Sequence, residues 1–356
     1  MPKTALCLKT PRTSGEKVIT TANKLGIIDK ELEIQRDNNH IYVPLTRNPQ
    51  PDELKKLREH VPAIEVSTYT FPERRKQPKT IPEVLEGKIP PYLLACLPRA
   101  LDFVGDIATV EVPPELEAYK AEIGNAIMQV HKNVRTVLAK AGAVKGEHRL
   151  REFNVIAGQP KTETIHKEHG CQLYVDLAKA YFSPRLSHEH KRVASMVKEG
   201  ETVIDMFTGV GPFAILIAKT HENVKVYAID INPDAVELLK KNIRLNRVNG
   251  KVRPILGDAK QIVKKQLRKI ADRVIMNLPE KAMEFVETSC EALKPEGGTI
   301  HFYSFVKGLN GLEDLKNRFA EEVEKCGRTV KKILHAKFVR ETAPYEWQAV
   351  LDVEVG

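Results

Sequence analysis

The chain has 356 residues, 42% hydrophobic and 29% charged, which is more than one core usually serves, so two or three domains are expected. The formal net charge of +9 suits a polyanionic partner, while the five cysteines, Cys7, Cys96, Cys171, Cys290 and Cys326, form no CxxC pair and so imply neither a metal site nor a disulfide framework. No stretch approaches the roughly 18 apolar residues of a membrane span, and the start MPKTALCLKT lacks the apolar core of a signal peptide, so a cytoplasmic protein without membrane contact is expected.

Residues 1–68 read as a small α+β module. Leu6 and Leu8 alternate with polar neighbours as a strand requires, Ser14 is placed to cap a helix carrying Val18, Ala22 and Leu25, and Gly26 ends it. Leu32 and Ile34 face Ile41 and Val43 across the polar turn Asp37-Asn38-Asn39, and a short helix follows over Asp52 to His60. A module of this size holds no deep pocket, which leaves it as a stabilising appendage or a substrate-recognition module. Residues 69–89 read as a linker, because prolines and the charge run of FPERRKQPK interrupt any periodicity.

The middle domain, residues 90–180, is expected to be α+β and RNA-binding. LDFVGDIATVEV (Leu101 to Val112) predicts strand, Gly105-Asp106 turn and strand. Pro113-Pro114 then predicts the start of a long amphipathic helix, with Leu116, Tyr119, Ile123, Ile127, Val130, Val134 and Leu138 as its apolar stripe. Six basic residues, Lys132, Arg135, Lys140, Lys145, Arg149 and Arg151, stand against the single acid Glu147 in the run that follows, as a solvated face or as phosphate contacts. Phe153 to Gly158 reads as a strand, and Thr162 to Tyr181 as two more around His169-Gly170, with Cys171 a structural thiol for want of a nearby base.

Residues 181–356 carry the pattern of a doubly wound α/β domain. A helix reaching Lys198 holds Glu189 near its N-terminus, where the pattern permits a surface carboxylate favouring the helix dipole or a fixed carboxylate facing a crevice. TVIDMFTGVGPF (Thr202 to Phe213) is a buried strand, a Gly209-Val210-Gly211 turn and a helix that Pro212 starts. Glycines there let a ligand approach backbone, and Asp205 offers a carboxylate at the strand end. A second strand ends in Asp230, 25 residues later, where a carboxylate can accept ribose hydroxyls, and a third delivers Gly257-Asp258-Ala259. The fourth brings Asn277-Leu278-Pro279-Glu280 to the same edge, and the strands after Gly297 predict an antiparallel last pair. Convergence at one switch point matches S-adenosylmethionine methyltransferases. A dinucleotide oxidoreductase is the rival, but GVGPFA lacks the third glycine of GxGxxG.

RLREFNVIAG, YFSPRLSHE, DMFTGVGPF and NLPE, in this order over essentially the full length, resemble the archaeal and eukaryotic tRNA (guanine-N1)-methyltransferases that modify guanosine 37, next to the anticodon. The resemblance implies a class I Rossmann-like methyltransferase domain after two smaller α+β RNA-recognition domains, with tRNA as partner, S-adenosylmethionine as cofactor and a monomeric state. It implies Glu189 as general base, Arg149 as the group polarising guanine O6, and Asn277 with Pro279 as the lining that positions the base. It further implies that Phe207, Asp230 with Ile231, Asp258 with Ala259, and Asn277 hold the cofactor, with Arg185 nearby, beside Asp205, Gly209 and Gly211.

The implied chemistry is coherent. Guanine N1 keeps its proton at neutral pH, so a base must take it as the methyl transfers, and partial burial of Glu189 is expected to raise its pKa for that task. Negative charge then grows on O6, where an arginine acts mainly in the transition state. The NLPE motif has no cysteine until Cys290, unlike cytosine-C5 enzymes, and lacks the paired prolines and aromatic of amino N-methyltransferases. Two alternatives stay open: a wybutosine-pathway relative that transfers the aminocarboxypropyl arm or methylates a tricyclic intermediate, and a non-catalytic S-adenosylmethionine-sensing RNA-binding protein.

Overall fold

The computed structural model describes all residues except Met1, Pro62, 75–79, 147–149 and Leu309; the side chains of His60 and 143–145 also lie outside it. Its first unit, Met1–Lys79, is built on β1 (Lys3–Pro11). After it come α1 (Gly15–Lys24), β2 (Gln35–Arg36), β3 (His40–Pro44), α2 (Pro51–His60) and β4 (Glu65–Phe71). The strands form an antiparallel sheet in the order β2-β3-β1-β4, and Val18, Ala22 and Leu57 from the helices cover Leu8 and Val43. Burying each of the valines and leucines among them stabilises the module by about 1.5–3 kcal/mol. Ser14 occupies the cap position of α1 without a capping hydrogen bond, whereas α2 begins with Pro51 and a Gln50/Glu53 capping box. β4 runs beyond residue 68 and buries Phe71 against Cys7 and Leu32, so part of the segment expected as linker is sheet.

The second unit, Thr80–Gly356, starts with α3 (Ile81–Leu85), which buries Val84 and Leu85, again within the expected linker. The strand-turn-strand expectation is met by β5 (Leu101–Val104) and β6 (Ile107–Val110). The long helix is not: a 3-10 turn over Pro114–Tyr119 leads into α4 (Lys120–Val130), which stops there, and Val134 and Leu138 lie outside any helix. Leu138 belongs instead to β7 (Thr136–Lys145), parallel to β6 and antiparallel to β8 (Leu150–Gly158). The three- and four-residue spacing was satisfied by coincidence. Val137 and Ala139 face α4 while Leu138 joins the opposite core, which is the two-residue alternation of a strand buried on both sides.

That opposite core joins the middle sheet to the rest of the unit. Val104, Ile107 and Leu138 pack with Leu173 and Val175 from the hairpin β9 (Glu163–Glu168) and β10 (Cys171–Asp176), with Leu177 just after it, and with Val193 and Phe213 beyond. The remaining elements are α5 (Ser187–Met196), β11 (Thr202–Asp205), α6 (Pro212–Thr220), β12 (Lys225–Asp230), α7 (Pro233–Leu245), β13 (Val252–Leu256), α8 (Ala259–Ile262), β14 (Arg273–Met276), α9 (Val286–Ala292), β15 (Gly298–Lys307), α10 (Gly311–Lys325), β16 (Val330–Ala343) and β17 (Glu346–Val355). They form a seven-stranded sheet in the order β13-β12-β11-β14-β15-β17-β16. Six strands run in one direction, and β17 runs antiparallel between β15 and β16, as expected of a class I Rossmann-like methyltransferase domain. The near-continuous apolar runs Val203-Ile204 and Val274-Ile275-Met276 suit strands covered by helices on both faces. No helix among the described residues is long and apolar enough to cross a membrane.

Candidate functional site

The chain proceeds from β11 outward to β12 and β13, then returns to β14 on the other side of β11. Such a reversal opens a crevice at the carboxyl ends of the two central strands. A cavity of about 320 Å³ lies there, and Phe207, Gly209, Asp230, Ile231, Asp258, Ala259 and Asn277 all line it. Gly209 and Gly211 take φ of +55° and +90° to turn the chain into α6. A Cβ on Gly211 would also lie 2.3 Å from Leu239 Cδ1, so this glycine serves packing beneath the loop and is not part of the lining.

Asp230 braces the loop. Its Oδ2 accepts the Gly209 N–H at 2.7 Å and its Oδ1 the Asn232 N–H at 2.9 Å. A carboxylate has about four lone-pair sites, so one oxygen can serve a backbone N–H and a hydroxyl together. Asp258 caps α8 by accepting the Gln261 N–H, which holds its carboxylate at the lip. Phe207 and Phe285 meet edge to face at 4.8 Å, and together with the half-exposed Ile231 they supply apolar walls. A fixed carboxylate, a glycine turn and flat apolar walls fit a nucleoside that carries a polar arm.

Asp205 does not reach the crevice. It is fully buried at the end of β11, and neither oxygen forms a well-aligned hydrogen bond. Burial pushes its carboxyl up to about 7, an effect that the nearby Thr208 hydroxyl and Phe207 amide offset only in part. Pro279 is buried too, and it is its neighbours Leu278 and Glu280 that line the space. Asn277 is oriented from below: its Oδ1 accepts Gln348 Nε2 at 3.3 Å, and Gln348 Oε1 accepts Arg340 Nε at 2.9 Å.

Glu189 is neither a surface carboxylate nor a wall of the crevice. Only 5% exposed, it accepts Arg192 Nη2 at 2.7 Å and Nε at 3.0 Å, and the Tyr303 hydroxyl donates to it at 2.8 Å. Burial raises its pKa, but the Arg192 hydrogen bonds and charge, with the Tyr303 hydroxyl, outweigh burial and hold the carboxyl below the ordinary range. The expected upward shift is therefore reversed, because burial arrived together with a cation. The next residue, His190, does line the crevice, with Nδ1 at 2.7 Å from buried Glu168 Oε1 and its ring edge-on to Phe213.

Arg185 sits in a second cavity of about 260 Å³ with Lys140, Arg151 and Arg340, where it pairs with Asp102. The two cavities share Tyr181, Phe182 and Ser183. Arg149 lies outside the described residues; Gly146, in the turn after β7, lines the first cavity. Sequence reasoning passed over His190, Gln348, Tyr181 and Phe182. The last two open the YFSPRLSHE motif, ahead of the turn that Pro184 starts, yet neither was singled out from it.

Comparison with known proteins agrees with this geometry. The chain matches the TRM5/TYW2 methyltransferase domain over residues 164–331, the TYW2 N-terminal domain over 81–162 and the tRNA methyltransferase 5 N-terminal domain over 7–53. It is 40% identical to the tRNA (guanine(37)-N(1))-methyltransferase Trm5b of Pyrococcus abyssi, with 99% of each chain covered. A solved complex of aTrm5 with tRNALeu superimposes with a TM-score of 0.76 at 34% identity, covering 99% of this chain and 100% of that one. The Methanocaldococcus jannaschii Trm5 complex with adenosine gives 0.63 at 32%, covering 98% and 99%. Likeness of this extent, 40% identity with 99% of each chain covered, places the chain in the TRM5/TYW2 methyltransferase family.

Proposed function

We propose that this protein transfers a methyl group from S-adenosylmethionine to N1 of guanosine 37 in tRNA. The observation that carries the reading is that the likeness to Trm5b covers the whole chain, the N-terminal module included, and not the catalytic domain alone. The bound sulfonium supplies an already activated methyl group, so what the protein must do is orient, desolvate and move one proton. Asp230 faces the ribose, Ile231 and Phe285 flank the adenine, and Asp258 receives its amino group. Asn277, held by Gln348, orients the guanine, and the buried Pro279 fixes the backbone of that strand end. Glu189 takes the N1 proton and Arg149 stabilises the charge on O6. The basic cavity of Lys140, Arg151, Arg185 and Arg340 supports a reading in which phosphates flanking the target base bind there.

We assign residues 1–68 to recognition of a distant part of tRNA shape, residues 90–180 to the anticodon stem, and the enzyme to a cytoplasmic monomer. Sedimentation of the pure protein tests the last point, and deletion of residues 1–68 with unchanged kcat/KM on intact tRNA would refute the first. Base flipping of a stacked loop nucleotide suits this division of labour.

The match to the TYW2 N-terminal domain over residues 81–162 favours a second reading, aminocarboxypropyl transfer to a tricyclic base at the same position. The deciding experiment uses S-adenosylmethionine labelled separately in the methyl and carboxyl groups, with transcripts bearing G or A at position 37 and a tRNA already carrying the tricyclic base there. Methyl label as N1-methylguanosine from the G transcript alone is the expected result. Carboxyl label in the tRNA with the tricyclic base establishes the second reading, and no label in any of the three leaves only a binding protein. Glu189→Gln and Arg149→Ala should each lower the rate by at least about tenfold.

A further inference from the structure

Glu189 occupies one end of a buried chain of charges that crosses the sheet. Its partner Arg192 also donates from both Nη atoms to Asp352 on β17. Asp352 accepts His301 Nδ1 at 2.6 Å, and His301 Nε2 lies 2.8 Å from Arg273 Nη1. Arginine only donates, so His301 accepts at Nε2 and carries its proton on Nδ1, toward Asp352. Arg273 is itself anchored by both oxygens of Glu201. Asp352 and His301 are fully buried, so the far side of this chain has no freedom to move.

Arg192 thus lies between two carboxylates, one fixed and one at the edge of the site. Glu189 in this arrangement has its strongest acceptor positions filled and does not line the crevice, whereas Leu186 and His190 on either side of it do. To reach a guanine N1–H it must exchange Arg192 and Tyr303 for the substrate. Leaving a buried guanidinium unpaired would be strongly unfavourable. Asp352 removes that obstacle.

We propose that Arg192 and Asp352 are positioning residues for the base: Arg192 holds Glu189 ready, and Asp352 retains Arg192 when Glu189 turns to the guanine. This rests on the reading of Glu189 as the base. The groups facing Glu189 are Arg192 and His188 on α5, the latter 3.9 Å away, and Tyr303 on β15; Asp352 on β17 acts through Arg192, with His301 and Arg273 behind it. The negative charge of Asp352 weakens the hold of Arg192 on Glu189 and raises the affinity of Glu189 for a proton, whereas the Tyr303 hydroxyl lowers it. Removing either group should therefore move the base in opposite directions.

The test measures single-turnover methyl transfer by the full chain to a G37 transcript at saturating S-adenosylmethionine, across the acid limb of the pH–rate profile. A base acts when deprotonated, so a lowered pKa moves the limb to lower pH. Asp352→Asn should move it down and reduce the plateau by about tenfold or more, because the base is weaker and more tightly held. Tyr303→Phe should move it up. Infrared difference titration of ligand-free protein, referenced to Glu189→Gln, should show the same two directions for the Glu189 carboxylate. Unmoved midpoints, or midpoints that move together, overturn the proposal; if Asp352→Asn fails to fold, Arg192→Lys, which keeps the charge but loses the fork that bridges both carboxylates, should lower the plateau about tenfold, and an unchanged plateau overturns the proposal. A Glu189→Gln enzyme with the wild-type rate instead refutes the assignment of the base itself.

Discussion

Asp230→Asn separates two duties that one side chain performs. The carboxylate accepts backbone N–H groups from Gly209 and Asn232, one on each oxygen, and an asparagine has a single acceptor oxygen. One of those amides therefore loses its partner. A hydrogen bond to a charged group contributes about 1.5–3 kcal/mol net. This bond exists with or without ligand, so its loss falls on folding: with about 2–4 °C per kcal/mol for a domain of this size, Tm should drop by about 3–12 °C. The hydroxyls of a bound nucleoside fall on affinity instead. Losing one charge-assisted bond to ribose should raise the Kd for S-adenosylmethionine by about ten- to 150-fold. Calorimetric titration and a thermal melt on the same preparation read the two effects apart. A lowered Tm with an unchanged Kd would falsify the ribose role and leave Asp230 as a brace of the glycine loop.

Three further outcomes follow from the same geometry. Gly211→Ala meets Leu239 Cδ1 at 2.3 Å with φ at +90°, so circular dichroism should show a loss of at least about 1–2 kcal/mol; an unchanged melt would mean that the loop relaxes freely. Gln348→Leu leaves Asn277 Oδ1 without its donor, and kcat should fall about tenfold while the Kd for S-adenosylmethionine holds. Asp205 keeps its proton up to about pH 7 when folded and only to about pH 4 when unfolded, so it takes stability away as pH rises between those values. Asp205→Asn should therefore gain stability relative to wild type at pH 8 compared with pH 4.5, and equal differences at both pH values would show that the carboxyl titrates normally.

Much of the site was legible in order along the chain because its signals are local. A glycine needed for a positive φ, a proline able to start a helix and an acid at a strand end each act within a few residues. Gly209, Asp230, Asp258 and Asn277 were found for that reason, and all four line one crevice. Local spacing also misled: Val130, Val134 and Leu138 satisfied a helical period, although the β-branched Thr136 and Val137 between them belong to a strand. A sequence window does not show that a sheet partner, β6, waits on one side.

What the sequence by itself determined was the sheet, the glycine loop and the set of polar groups delivered to its edge, since hydrophobic period and turn chemistry are properties of neighbouring residues. Tertiary structure alone decided the state of those groups. Glu189 on α5 and Asp205 at the end of β11 are both buried carboxylates of one domain, yet one is held low by Arg192 and the other pushed up by burial without a cation. The partners of Glu189 include Tyr303, 114 residues away, and Arg192 is in turn held by Asp352, 160 residues beyond it. Charge in a low-dielectric interior is set by whatever lies within a few ångströms, and only the folded chain brings those residues together.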